Sequence, residues 1–278
     1  MAEFTRTQYD FNSRIVLNDN TSDTTKFILL KNNSIFDTVV QNTEEERPVS
    51  PGIVDYGSKL SKGILDIPVM LYASTIANMA QLIEDFKEAF NPDLLEADST
   101  YGEAAGGNGY HPLNWTETVG ATSRAFRIYA KAVETPRMNQ DSFAGLARSS
   151  RISLKVQDPR KYLQAQTTLA GAGTATNAGT YPTPVVITGT ATGATSTSLQ
   201  ITNSTTGKTI YITTALANND VIVIDTRKHS IKKNGTETRS LIGAGTDWWS
   251  LNPGANTIAF TNTTNITFST AWRSAWPI

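Results

Sequence analysis

Two different periodicities of apolar residues predict strands and one helix in the first 162 residues. Residues 151–157 alternate apolar and polar side chains, which is typical of a half-buried antiparallel strand. Residues 124–131 alternate in the same way, with apolar side chains on one face. Apolar runs at residues 26–30 and 63–72 predict two further strands, and Pro68 indicates an edge or a bulge in the second.

A stripe of large apolar residues spaced three and four apart predicts the helix. The stripe consists of Ile76, Met79, Ile83, Phe86 and Phe90. Ser74 or Thr75 can cap the start of the helix, and Asn91-Pro92 is expected to end it. We expect the stripe to pack on a sheet, because such stripes usually serve as core.

Six short runs rich in β-branched and aromatic residues predict an all-β second half. They are residues 185–188, 198–202, 209–213, 221–224, 257–260 and 266–270. Turn residues separate the runs, and Asn234-Gly235 is the strongest hairpin signal among them. Short strands at this spacing are typical of an antiparallel sandwich or a jelly roll.

A tract of small residues at 163–180 separates the halves and reads as a linker or as an extended strand. We therefore predict two domains, residues 1–162 and residues 163–278. The second holds seven basic and four acidic side chains, and the first holds 17 and 21. A chain with a net charge of −1 is thus an acidic half of −4 joined to a basic half of +3.

Residue types that carry chemistry are few. The chain has no cysteine, which excludes disulfides and thiolate metal sites. His111, in a Gly-rich loop, and His229, in a turn, are expected on the surface. Neither has the spacing of a metal ligand, so we predict no catalytic residue, no metal and no cofactor.

Carboxylates offer the one open route to catalysis, since glycoside hydrolysis requires only two of them. Residues 44–46 are three consecutive glutamates that a solvated loop explains best. Asp220 and Asp225 bracket a strand, where turn and strand-end roles suffice.

Four of the five tryptophans fall in the last part of the chain: Trp248, Trp249, Trp272 and Trp276. If residues 248 and 249 lay in a strand, one indole would face inward and the other outward. Trp248 and Trp249 are therefore candidates for stacking on a sugar. A place in a sandwich core or a subunit interface is the commoner role of tryptophan.

The N-terminal residues lack the basic and apolar regions of a signal peptide, and no apolar stretch approaches the length that spans a bilayer. We expect neither secretion by that route nor association with a membrane.

The succession of motifs resembles the distal tail (hub) proteins of siphophages. Residues 63–74, the predicted helix and the run Val-Gln-Asp-Pro-Arg-Lys-Tyr at 156–162 are similar to the N-terminal domain of that family. The stretch from Thr206-Gly207 to Trp248-Trp249 and the Asn-Pro-Gly at 252–254 resembles its C-terminal domain. The resemblance covers the whole chain in the right order.

This resemblance implies a mostly β fold: a tail-tube-like β-sandwich or barrel with one packed helix, then a galectin-like antiparallel sandwich. It also implies a homohexameric ring at the virion tail tip, made in the host cytoplasm. The implied partners are the tail tube protein, proteins associated with the tail tip or the tape measure, and a receptor-binding protein. DNA would pass through the channel without specific binding.

Features of the sequence itself agree with such an assembly. An acidic N-terminal half suits a channel that DNA must pass without being retained by basic contacts. The stretch at 41–62, rich in charge, Pro and Gly, is long for a connection inside a compact domain, and we predict a loop that contacts a neighbouring subunit. The candidate contact residues are Glu44, Glu45, Glu46, Arg47, Asp55, Tyr56, Lys59 and Lys62.

Three other functions stay open. A major tail tube protein with an appended β-sandwich would share the N-terminal strand and helix pattern, but would stack into filaments. A host-glycan-binding adhesion module would need an exposed Trp248 or Trp249. A glycoside hydrolase would need two carboxylates facing each other across a cleft.

Overall fold

The chain divides into two compact units, Met1–Lys161 and Tyr162–Pro277. In the computed structural model, the described residues are 8–18, 26–30, 40–46, 53–60, 63–97, 109–119, 122–139, 146–156, 158 and 160–277. Both units are built mainly of antiparallel strands, so the predicted mostly β fold is confirmed.

The described residues of the N-terminal unit form ten strands, numbered here in chain order. They are β1 (Tyr9–Phe11), β2 (Ile15–Leu17), β3 (Lys26–Leu30), β4 (Val40–Glu46), β5 (Ile53–Leu60), β6 (Gly63–Ala73), β7 (His111–Val119), β8 (Thr122–Ala132), β9 (Met138–Asn139) and β10 (Ala147–Val156). The main sheet has the order β2-β1-β7-β8-β10-β6-β3, and β9 pairs with β10. The amide of Asn18 donates to the carbonyl of Ile28 at 2.8 Å, so the first and last strands of this order meet. The sheet therefore curls toward a barrel.

The predicted alternation is confirmed in the two strands that carry it most clearly. In β10, Ile152, Leu154 and Val156 are buried, and in β8 Phe126 and Ile128 are buried. The prediction that Pro68 marks an edge or a bulge was wrong. Strand β6 lies between β10 and β3, not at an edge. Pro68 lies opposite Arg151 of β10, in a register that continues without a shift from Gly63 to Tyr72.

Helix α1 (Ile76–Ala89) packs on β6, β3 and β2. Thr75 caps it, because its Oγ1 accepts from the amide of Asn78 at 3.1 Å. The phenyl ring of Phe90 stacks on that of Phe11 with centroids 4.8 Å apart, and the ring of Phe86 meets it edge-on at 5.2 Å. The end of the helix is thereby fixed to β1.

The buried face of α1 is shifted from the predicted stripe. It consists of Met79, Leu82, Phe86 and Ala89. Ile76 is 72% exposed and Ile83 is only half-buried, so the prediction for Ile76 was wrong. Successive residues are about 100° apart around the helix axis, which places both isoleucines on the same side of the buried face. The position of the sheet determines which part of the helix surface is buried.

A second helix, α2 (Pro92–Ala97), follows at once and was not predicted. Proline ends α1 as expected but also suits the first position of the next helix. The side-chain oxygen of Asn91 accepts from the amide of Asp93 at 3.0 Å and caps it. Leu95 of α2 is completely buried.

The C-terminal unit is an antiparallel β-sandwich. Strand β11 (Arg160–Leu163) spans the division, and then follow β12 (Thr167–Ala170), β13 (Gly173–Asn177), β14 (Val185–Ala191), β15 (Leu199–Asn203), β16 (Lys208–Ile212), β17 (Val221–Asp225), β18 (Ser230–Lys233), β19 (Thr236–Glu237), a 3₁₀ turn (Arg239–Leu241), β20 (Gly254–Thr261), β21 (Ile266–Trp272) and β22 (Ala275–Pro277). One sheet has the order β12-β21-β14-β17-β18-β19, and the other has β13-β20-β15-β16. Between them lies one core, to which Ile187 and Ile224 contribute from the first sheet and Ile201 and Ile258 from the second.

The tract of small residues at 163–180 is not a plain linker. It forms β12, which pairs with β21, and β13, which pairs with β20 in the other sheet. Gly171 joins the two strands with φ +68°, a conformation that glycine adopts readily. Strands can form here without large side chains because backbone hydrogen bonds join them to the longer strands β21 and β20.

Candidate functional surfaces

Strands β4 and β5 form a separate two-stranded ribbon; among the described strands they pair only with each other. The register places Gln41 opposite Lys59 and Glu44 opposite Asp55, with an irregularity between Asn42 and Glu44. We predicted a loop that contacts a neighbouring subunit; the loop conformation was wrong, and the contact stays a prediction. A ribbon hydrogen-bonded to itself needs no buried face, so its sequence lacks the alternation that identifies a half-buried strand.

The ribbon brings most of the predicted contact residues together. Residues 44–46 end β4, and Asp55, Tyr56 and Lys59 lie in β5. Arg47 and Lys62 lie outside the described residues. The pairing sets two acidic residues, Glu44 and Asp55, directly across from each other, an arrangement that weakens a strand pair.

The two adjacent tryptophans have different environments. Trp249 is 2% exposed, belongs to the sandwich core, and its Nε1–H donates to the carbonyl of Ile201 at 3.4 Å. Trp248 is half-buried, and its indole stacks on the imidazole of His229 with centroids 5.1 Å apart and planes 10° apart. Neither lies in a strand, so the predicted inward and outward pair arises from an irregular segment. Trp248 alone can meet a ligand at the surface.

His111 was predicted on the surface and is instead completely buried. Its Nε2 lies 2.9 Å from the carbonyl oxygen of Leu95 in α2, and its ring meets Phe11 edge-on at 6.4 Å. The signal was present in the sequence: His111, Leu113 and Trp115 alternate along β7, and all three are buried. The neighbouring glycines concealed the start of this strand.

The prediction for His229 is confirmed, since the side chain is exposed in the turn between β17 and β18. Its backbone has φ +53°, a left-handed conformation. In the same turn the Oδ1 of Asp225 accepts from the amides of Arg227 at 2.9 Å and Lys228 at 3.2 Å. Asp225 therefore has the expected turn role.

Asp220 is 8% exposed and forms a compact polar cluster at the start of β17. Its Oδ2 lies 2.7 Å from the Nζ of Lys233 and accepts from the amide of Ala217 at 2.7 Å. The Nδ2 of Asn234 donates to its Oδ1 at 2.8 Å. The contact with Lys233, followed by that with Asn234, lowers the pKa of Asp220 to about 2. A carboxylate held in its charged form in this way is structural.

A second polar cluster lies around Lys161, the last residue of the N-terminal unit before the division. The Nζ of Lys161 is 2.8 Å from both carboxylate oxygens of Glu117 and lies 4.6 Å from the centre of the Phe126 ring. The indole N–H of Trp115 also donates to Glu117, at 2.9 Å. Burial and the nearby Glu117 charge raise the pKa of Tyr9, whose ring packs beside Trp115.

The aspartate of the Asp-Pro motif noted in the sequence is part of an ion pair. Asp158 is 8% exposed and receives two hydrogen bonds from the guanidinium of Arg160, at 2.6 and 2.9 Å. Such a two-pronged pair between charged groups is stronger than a hydrogen bond between neutral groups.

Within the part of the chain that the structure describes, no three His, Asp or Glu side chains come together as metal ligands would. No described helix has the length and apolar character to cross a bilayer.

A family model described as siphovirus-type tail component, C-terminal domain, matches residues 178–276. The solved structure of the SPP1 Dit protein, described as a paradigm of hub adsorption apparatus in phages that infect Gram-positive hosts, is similar to 98% of this chain and 99% of its own, with 13% identity and a TM-score of 0.66. The phage P2 baseplate in its activated conformation with Ca gives a TM-score of 0.48 at 8% identity, over 96% of this chain and 98% of that one. No protein with a curated description matches the sequence.

Residues 178–276 of the C-terminal unit therefore match the model of a siphovirus-type tail component domain. The fold of 98% of the chain is similar to that of the SPP1 Dit protein, and the predicted resemblance to the distal tail proteins is confirmed.

Proposed function

We propose that the chain forms the homohexameric hub ring that joins the tail tube to the tail tip or baseplate of a long, non-contractile-tailed phage. The family match at residues 178–276, together with a shared fold over 98% of the chain, carries the proposal. Residues 1–162 would build the ring and residues 163–278 would lie at its periphery. The role is structural, not enzymatic.

The expected neighbours are the tail tube protein, proteins associated with the tail tip or the tape measure, and a receptor-binding protein. The protein would be made in the host cytoplasm and reside at the virion tail tip. The charge of −4 on residues 1–162 supports a channel that DNA traverses without specific binding.

The β4–β5 ribbon is the part of the N-terminal unit that we assign to the ring contact. A two-stranded ribbon is marginally stable by itself in water, and the Glu44–Asp55 register weakens it further. Packing against a neighbouring subunit would supply the missing stabilisation. The contact residues would be residues 44–47 together with Asp55, Tyr56, Lys59 and Lys62.

Light scattering combined with negative-stain images of the same sample tests the proposal. Closed rings of six subunits with an open centre are the expected result. Long tubes would contradict it and favour a tail tube protein with an appended sandwich. A monomer at every concentration, with no ring after addition of tube protein, would also contradict it.

Replacement of residues 41–62 by a short Gly-Ser connection tests the ribbon. We expect a folded monomer, because the ring contact is gone while the sheet around β6 remains. Retained rings would contradict the assignment. Hydrogen exchange in peptides that contain the buried Trp249 reports whether the C-terminal unit remains folded in the same variant.

Binding of a host glycan is a second candidate, favoured only by the partly exposed Trp248 beside the exposed His229. A glycan screen with the wild type and with Trp248→Ala tests it. Binding that disappears in the variant, with the fold intact, would support an adhesive role.

A further inference from the structure

The Asn234-Gly235 turn contains a side-chain amide that is chemically labile in this sequence, and the fold keeps it from reacting. We propose that Asn234 is a latent deamidation site, kept closed by its hydrogen bonds to Asp220 and Val221. This inference concerns the C-terminal sandwich alone and does not depend on assembly into a ring.

The reaction is known chemistry of Asn-Gly sequences. The backbone nitrogen of Gly235 loses its proton to solvent base and attacks Cγ of Asn234, and the Cγ–Nδ2 bond breaks with release of ammonia. Water then opens the cyclic imide at either carbonyl, giving aspartate or isoaspartate. Glycine favours the attack because no side chain hinders its nitrogen.

Three hydrogen bonds oppose this attack in the folded chain. The Oδ1 of Asn234 accepts from the amide of Val221 at 2.8 Å, and its Nδ2 donates to Asp220 at 2.8 Å. The backbone amide of Asn234 also donates to the carbonyl of Val221 at 2.8 Å. Both ends of the side-chain amide are thus engaged, and Cγ cannot turn toward Gly235 unless these bonds open.

The turn also keeps the nucleophile in a fixed geometry. Asn234 and Gly235 have φ +50° and +83°, the left-handed pair of a tight hairpin between β18 and β19. Reaction therefore requires local opening of this hairpin, whose outer strand β19 has only two residues.

The product would change the contact at the cluster. An aspartate at position 234 loses the donor that now lies 2.8 Å from Asp220, and places a second carboxylate beside the first. Like charges at this distance repel. Isoaspartate would in addition lengthen the backbone inside the turn. Deamidation would therefore destabilise the edge of the six-stranded sheet as the protein ages.

The test compares deamidation rates in the full-length chain at mildly alkaline pH, measured by peptide mapping in water enriched in heavy oxygen. We expect Asn234 to react about tenfold or more slowly in the folded wild type than in the same chain unfolded in urea, as for a group held by a hydrogen bond to a charge. Asp220→Ala should raise the folded-state rate about tenfold. The second Asn-Gly pair of the chain, Asn108-Gly109, serves as an internal reference.

Two further variants separate the contact from general destabilisation. Lys233→Met removes the cation from Asp220 but leaves the bond to Asn234, and should keep the wild-type rate. Asp220→Asn keeps an acceptor but loses its charge, and should give a rate between wild type and Asp220→Ala. Equal rates in folded and unfolded wild type would overturn the proposal. So would wild-type rates in both Asp220 variants, or acceleration by Lys233→Met as large as that by Asp220→Ala.

Discussion

The imidazole of His229 stacks on the indole of Trp248, with ring centroids 5.1 Å apart and planes inclined by 10°. The indole of Trp248 also packs against the sandwich core, and Trp249 is buried within that core. The pair thus connects the exposed turn between β17 and β18 to the core. Two adjacent tryptophans therefore have separable roles.

Substitution of the two tryptophans should have unequal effects on stability. Trp249→Ala should lower the free energy of unfolding of the C-terminal unit by about 3–5 kcal/mol, because it empties a core position. Trp248→Ala should cost about 1–2 kcal/mol, since it removes an aromatic pair and part of a buried surface. Denaturant unfolding followed by hydrogen exchange in peptides of this unit measures both. Equal losses would contradict the assigned burial.

The shifted face of α1 gives a second matched pair. Phe86→Ala should destabilise the N-terminal unit by about 3–5 kcal/mol, because Phe86 is completely buried against Phe90. Ile76→Ala, at a side chain 72% exposed, should change the free energy of unfolding by no more than about 0.5 kcal/mol. Thermal unfolding of the two variants distinguishes this face from the one predicted by spacing alone.

His111 should be required for the attachment of α2. The carbonyl oxygen of Leu95 can only accept, so the Nε2 of His111 is the donor. His111→Leu keeps an apolar side chain of similar size but leaves that carbonyl unpaired, at a cost of about 1–3 kcal/mol. Hydrogen exchange in residues 92–97 should increase. His229→Leu, at an exposed position, is the control and should leave exchange there unchanged.

The cluster around Asp220 predicts a dependence of stability on pH. The pKa of Asp220 is about 2 in the folded chain, below its ordinary value of 3.8. The carboxylate therefore stabilises the fold fully above its ordinary pKa, and this contribution is lost as the pH falls from 3.8 toward 2. The free energy of unfolding should decrease over that window in the wild type. The decrease should be smaller in Asp220→Asn, and an identical pH profile would contradict the prediction.

The sequence alone was enough to predict the strands and the helix in which the pattern of apolar residues follows the buried face. Strands β8 and β10 show alternation because one face of each lies on the core. Helix α1 repeats its apolar residues at helical spacing because one side of it lies on the core. The hairpin at Asn234-Gly235 was likewise readable, since few residue pairs adopt its left-handed turn. Such signals are local, and a single sequence contains them.

Tertiary structure decided what depends on distant partners. The β4–β5 ribbon and the small-residue strands β12 and β13 form through backbone pairing, which leaves no apolar pattern. Alternation along β7 indicates that His111 is buried, but it does not identify its hydrogen-bond partner, the carbonyl of Leu95, 16 residues earlier in the chain. The sequence also could not show that the carboxylate of Asp220 accepts a hydrogen bond from the side-chain amide of Asn234. The two residues are 14 positions apart, and strand pairing brings Nδ2 of Asn234 within 2.8 Å of Oδ1 of Asp220. Periodicity encodes which face is buried, and only the folded chain determines what that face meets.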